Sequence, residues 1–184
     1  MDYNGILAKA RGELGPYCRA CPVCDGRACG SHIPGPGSKG SGNVAARNHE
    51  AWKDYRLAMD TIHEPFVAST RCDVLGRSLV LPVMIAPVGD VPRHYGDKYE
   101  TVDYNRIILR AAHDAGTLAW TGDGNDPALM EDALVAIGEM DGAGVCTIKP
   151  WSMDVVMQKL EAALAYTNPI LERVYEMDTY TPAY

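Results

Sequence analysis

Three apolar runs along the chain each end in a cluster of small, turn-forming and polar residues. They are Val83-Met84-Ile85-Ala86 before Pro87-Val88-Gly89, Leu118-Ala119-Trp120 before Thr121-Gly122-Asp123-Gly124, and Val145-Cys146-Thr147-Ile148 before Lys149-Pro150-Trp151. A stretch with helical spacing follows each run. Strands buried on both faces read as continuous apolar runs, and an intervening helix makes successive strands parallel. The pattern predicts parallel strands at 83–86, 117–120 and 144–148. In such folds ligands meet the chain just past the carboxyl ends of the strands, which is where the three clusters lie.

The helices follow from the same reading. One is expected from Glu100 to Ala115, with Val102, Ile107, Ile108, Ala111 and Ala112 inward and Gly116 ending it. A second starts at Asn125-Asp126-Pro127, a cap followed by proline, and turns Leu129, Ala133, Leu134 and Ile137 inward before Gly138. A third is capped by Ser152 and carries Val155, Val156, Leu160, Ala163 and Leu164. Strand ends recur after 35 residues (Ala86 to Thr121) and after 26 (Thr121 to Thr147), so a fourth strand is expected near 173–178. Upstream, Arg71 to Val80 reads as a hairpin turning at Leu75-Gly76-Arg77 and plugging the sheet. Residues 2–14 carry Ile6, Leu7, Ala10 and Leu14 on one helical face, with Gly15-Pro16 as the stop. A short helix is expected over His49 to Met59. Between them, Tyr17 to Asn48 holds four cysteines and the Gly35 to Gly42 loop, which build neither helix nor sheet.

Composition narrows the class. With 184 residues and 47% apolar content the chain can bury a real core. A complete eight-fold β/α barrel needs at least about 200 residues. The formal net charge of −7 argues against a nucleic-acid or membrane-surface partner. No charged-then-apolar leader and no run of about 18 apolar residues is visible, so a soluble, cytoplasmic protein is expected.

Cys18, Cys21, Cys24 and Cys29 form C-x2-C-x2-C-x4-C. Ligands at this spacing can face one centre, either an iron–sulfur cluster or a structural zinc, and unligated thiols are the plain alternative. Cys72 and Cys146 read as small packing residues. Thr121-Gly122-Asp123-Gly124-Asn125-Asp126 is similar to the magnesium loop of haloacid-dehalogenase-type phosphatases, one spacer short. No Asp-x-Asp nucleophile accompanies it, and a helix-capping turn accounts for it better.

From about Asn48 to Met157 the order of motifs resembles the FMN-dependent α-hydroxy-acid oxidase and dehydrogenase family, the glycolate and lactate oxidase group. The carrying residues are Leu75-Gly76, Pro82-Val83-Met84-Ile85-Ala86-Pro87, His94, Ala111-Ala112, Ala115-Gly116-Thr117-Leu118, and the third strand with its polar helix start. Met177-Asp178-Thr179-Tyr180-Thr181-Pro182 is similar to that family's fourth strand end.

The resemblance implies an α/β fold of the (β/α)8 TIM-barrel type. The chain would supply its amino-terminal half, three to four βα units over 71–184, preceded by a helical and Cys/Gly-rich segment over 1–70. It implies FMN as cofactor and a small 2-hydroxy acid oxidised to the 2-oxo acid. The backbone of Ala86, Pro87 and Val88 would lie against the flavin ring. Thr121 and Thr147 would hold the pyrimidine edge, and Lys149 stands where the family contacts substrate. An assembly of identical subunits is expected.

The chain departs from the family in three places. Gly122-Asp123 stands for the usual Ser-Ser, and Thr147-Ile148-Lys149 for Gln-x-Tyr. None of His32, His49, His63, His94 and His113 precedes Gly-Gly, as the family's catalytic histidine does. The expectation is a truncated part without its own base. Two alternatives remain open: an FMN-barrel isomerase of the type 2 isopentenyl diphosphate isomerase kind, and a non-catalytic Cys-cluster metal-binding module.

Overall fold

Asp2 starts the first helix by accepting a 2.8 Å hydrogen bond from the Gly5 N–H, the capping role expected of an aspartate there. The structure, a computed structural model, describes residues 2–14, 18–28, 44–140 and 144–166. The described residues divide into two compact units. One holds those up to Val67 together with Pro92–Lys98, and the other holds Ala68–Val91 and those from Tyr99 onward.

In the first unit lie α1 (Tyr3–Glu13) and α2 (Val44–Ala51), the latter followed by a 3-10 turn at Trp52–Asp54. The α1 stripe is shallower than its spacing predicts. Leu7, Ala10 and Leu14 are half-buried, Ile6 is exposed, and no residue of the helix is fully buried. The second helix begins before the expected His49 and ends well before Met59. From Tyr55 to Arg71 the chain forms neither helix nor strand and every residue is exposed, with Leu57 96% and Phe66 71% accessible. Apolar spacing in that stretch therefore reflects no buried face.

The second unit opens with β1 (Cys72–Val74) and β2 (Arg77–Leu79), an antiparallel hairpin in which Val74 faces Arg77 across a two-residue turn. Leu75 and Gly76 both have positive φ, 51° and 70°, the twist that suits tight hairpins. Leucine in that conformation costs roughly 1–2 kcal/mol. Packing offsets this, since Leu75 contacts the cluster of Leu79, Leu118 and Val145. The hairpin thus lies against the sheet, as a plug should.

A short helix, α3 (Val91–Tyr95), precedes α4 (Thr101–Asp114), β3 (Trp120–Thr121), α5 (Pro127–Gly138), β4 (Val145–Cys146) and α6 (Met153–Tyr166). β3 and β4 pair in parallel, Trp120 with Val145 and Thr121 with Cys146. Ile85 bridges in parallel to Ala119, with its N–H on Leu118 O and its carbonyl accepting from Trp120, both at 3.0 Å. The three expected strands are therefore parallel and in order, each followed by a helix, though shorter than their apolar runs. No barrel closes among the described residues, and the expected fourth strand at 173–178 lies outside them.

The core forms where the helices meet one face of this sheet. Ala119, Cys146 and Ile148 pack with Ile108, Leu109, Met130, Leu134, Ile137 and Val156. The opposite face carries Leu118, Trp120 and Val145 toward the hairpin. On α4 the buried stripe is Thr101, Asn105, Ile108, Leu109 and Ala112, while Ile107 and Ala111 face out. The stripe is rotated from the expected one because Leu109 packs beside Gly144, where any Cβ would collide with it. The α5 face is the expected one, with Leu129, Ala133, Leu134 and Ile137 all buried. Arg106 on α4 clamps Glu139 at the end of α5 with two bonds of 2.6 and 2.7 Å. Those bonds hold the Glu139 carboxyl below its ordinary value of 4.5.

Leu134 is 1% exposed at the centre of this core. Leu134→Ala should cost about 2–5 kcal/mol of unfolding free energy in a denaturant titration. A separate expectation concerns pH. A lowered folded-state value means that Glu139 contributes stability above the ordinary carboxylate range and loses it as pH falls through the folded value. Glu139→Gln should therefore melt slightly below wild type at pH 7. The gap in Tm should narrow on acidification toward pH 3, and a gap that widens there would contradict the assignment.

Candidate functional site

Each residue expected at the cofactor or substrate sits at or just past the carboxyl end of a strand, but the sheet register sorts them by face. In a strand pair, directly opposed residues point to the same side and side chains alternate along each strand. Thr121 is opposite Cys146, whose side chain joins the helix-side core. Thr121 thus shares the helix side, and Thr147 takes the other face with Val145. Ala86, next after Ile85, is also set opposite the helix-side residues, and it is exposed. Pro87 and Val88 are half-buried, as is Lys149. Thr121 and Thr147 meet through backbone, the Thr147 N–H donating to Thr121 O at 3.2 Å.

The two hydroxyls share one property. Thr121 and Thr147 are 0% and 1% exposed, and neither Oγ1 has a hydrogen-bond partner among the described residues. A buried hydroxyl without a partner costs on the order of 1–3 kcal/mol, so each invites an explanation. For Thr121 on the helix side the structure provides none. Thr147 lies on the same face as Ala86, its hydroxyl buried at the strand ends.

What holds those ends is Asp123, which the sequence presents as part of a helix-capping turn. The Asp123 side chain is 0% exposed and accepts from four donors. Oδ2 takes the Lys149 N–H at 2.9 Å and the Trp151 Nε1–H at 2.7 Å. Oδ1 takes the Gly124 N–H at 2.8 Å and the Lys159 ammonium from α6. Lys159 is itself 12% exposed and lies 5.3 Å from the Trp151 ring centroid, a cation–π distance. Asp123 is thus no magnesium ligand in waiting: every donor around it is a protein N–H. Asp126 is the residue that caps α5, accepting from Ala128 N–H at 3.0 Å.

Backbone contact completes the arrangement. A Cβ on Gly122 would run into the Gly89 nitrogen and the Val88 carbonyl carbon, and one on Gly89 would sit 2.7 Å from Asp123 O. The loops after the first two strands touch main chain to main chain, which only glycine permits.

Signals for Asp123 and Lys159 existed in the sequence. A lone aspartate between two glycines after a buried strand, and a lysine on the apolar side of α6 between Val156 and Ala163, are both unusual. Neither signal says that the two residues meet.

The cysteine cluster fares differently. Cys18 and Cys21 are half-buried, Cys24 is exposed, and all three are free thiols. No three His, Cys, Asp or Glu side chains converge to hold a metal among the described residues, and Cys29 lies outside them. The zinc or iron–sulfur expectation gains no support, nor does a metal-binding module. The glycine loop at 35–42 also lies outside the described residues. No described helix is long and apolar enough to cross a membrane.

Parallel strands, each followed by a helix, define an α/β protein of the class whose ligands meet the chain past the strand ends. A sequence profile of FMN-dependent dehydrogenases matches residues 36–155, about two-thirds of the chain. The chain belongs to that family of FMN-binding oxidoreductases, whose fold is a β/α barrel. No curated protein matches it.

The residues present fit FMN in part. At the strand ends Ala86 is exposed with Pro87 and Val88 half-buried, and the buried Thr147 hydroxyl on the same face lacks a partner among the described residues. Thr121 does not join them by its side chain.

Because Gly122 is packed against backbone rather than a side chain that could swing aside, Gly122→Ala should shift both loops. Overpacking of this kind costs about 1–3 kcal/mol. Thermal unfolding should show a clear drop in Tm, and an unchanged Tm would mean that the loops are not in contact.

Proposed function

We propose that this chain forms the flavin-facing part of an α-hydroxy-acid oxidase-type flavoprotein, acting on a small 2-hydroxy acid. Bound FMN supplies a two-electron acceptor. The Ala86-Pro87-Val88 backbone and the Thr147 hydroxyl would hold it, and Lys149 would serve the substrate. Thr121 contributes its carbonyl, which fixes the Thr147 N–H. The observation that carries this reading is the Thr147 hydroxyl, buried and unpartnered at the end of a parallel strand within the matched region.

Oxidation of a 2-hydroxy acid also needs a base for the substrate proton and a cation for its carboxylate. No histidine of the chain stands before Gly-Gly, the setting of the family's base. General-base and electrostatic contributions are each worth about two or more orders of magnitude in rate. The chain by itself should therefore leave lactate, glycolate and mandelate unoxidised.

Titration of the 184-residue chain with FMN, followed by flavin fluorescence, tests the reading. Weak binding is expected. Thr147→Val should lower the affinity about fivefold, the worth of one hydrogen bond of about 1 kcal/mol. Equal affinity in the two proteins would remove Thr147 from the site. Bleaching of the bound flavin by a 2-hydroxy acid would show that the chain carries a base of its own.

A further inference from the structure

We infer that Asp123 is the positioning residue of the flavin-facing surface, acting through the segment Thr147 to Trp151. The inference rests on the reading of Thr147 given above and extends it to a residue that touches no flavin itself.

Thr147 is useful only if its hydroxyl is aimed, and nothing in the side chain's immediate surroundings bonds it. Its aim must come from the backbone. On one side the Thr147 N–H is tied to Thr121 O at 3.2 Å. On the other, two residues on, the Lys149 N–H is tied to Asp123 Oδ2 at 2.9 Å. The Trp151 indole bonds the same oxygen, and the Trp151 N–H returns to Lys149 O at 2.8 Å. The stretch past β4 is therefore anchored at 147, 149 and 151, and two of those anchors converge on one carboxylate.

Asp123 is in turn held from behind. Gly122 presses on the backbone of Val88 and Gly89, so the carboxylate's position is referred to the loop that presents Ala86 to Val88. Lys159 supplies the compensating charge from α6. Structural filling alone does not call for this arrangement, because an apolar cluster of the same volume is usually at least as stable as a buried ion pair. A carboxylate is required because all four groups around it are donors. A carboxamide would point its own hydrogens at two of them and leave the Lys159 charge without a counterpart.

The test combines Asp123→Asn with Thr147→Val in a double-mutant cycle, reading FMN affinity well below the unfolding temperature of every variant. Loss of a charged hydrogen-bond acceptor should lower affinity about tenfold in the wild-type background. If Asp123 acts through Thr147, the same change in the Thr147→Val background should lower it by less than about threefold, since coupled residues are not additive. Tm should fall equally in both backgrounds. Equal fold-losses of affinity in the two backgrounds, or no loss at all, overturn the inference while leaving the Thr147 reading intact.

A second readout needs no flavin. Amide hydrogen exchange at Lys149 should speed up at least about tenfold in Asp123→Asn. If the wild-type chain binds no FMN, the reading of Thr147 fails and this measurement decides the positioning role alone: unchanged protection at Lys149 overturns it. Should Asp123→Asn fold poorly, Asp123→Asn/Lys159→Met removes the buried charges together and is expected to show the same exchange and coupling.

Discussion

A single buried carboxylate organises the carboxyl-terminal side of the sheet. Asp123 has no exposed surface and four donors, drawn from its own loop, from the β4–α6 loop and from α6. Taking an aspartate and a lysine out of water is expensive, and their pairing, with three further donors on the carboxylate, offsets that cost. That need for donors propagates. The indole of Trp151 must turn toward Asp123, the Lys149 N–H must face it, and α6 must run at the height that brings Lys159 into reach. The strands themselves contribute little to this order, since β3 and β4 pair over only two residues each.

Around that centre the two faces of the sheet do different work. The helix side is a conventional apolar core to which α5 contributes more buried side chains than any other described element. The hairpin side is thinner, three buried residues with half-buried neighbours, and it ends at Ala86 and Thr147. The helix side therefore carries the larger share of the packing, and the hairpin covers the other face. In an FMN-dependent dehydrogenase this division is economical, because loops past the strands can vary in chemistry while the core behind them stays the same.

Much of the fold was readable because its signals are local. Asp126-Pro127 starts a helix by cap and fixed φ, and the face of α5 follows from 3.6-residue spacing. The parallel strands followed from apolar runs alternating with helices. Longer-range facts were not readable. The α4 stripe turned on where Leu109 meets Gly144, and the second helix was displaced because apolar residues after Trp52 gain no buried face. At the site, spacing placed Thr121 and Thr147 at strand ends but could not tell their faces, since a shift of one residue in register reverses a side chain. Asp123 was visible as a residue between two glycines. Its role depends on Lys159 thirty-six positions later, and no local rule pairs them.

The exposed stretch from Tyr55 to Arg71 has a practical consequence for anyone handling the protein. A protease needs several consecutive residues in extended form within its cleft, and this stretch offers them without local unfolding. Arg56 and Arg71 stand at its two ends, with no lysine or arginine between them. Trypsin should therefore excise the intervening peptide early. What remains on the carboxyl side begins at Cys72, the first residue of the hairpin, and keeps the three parallel strands and the buried aspartate in one piece.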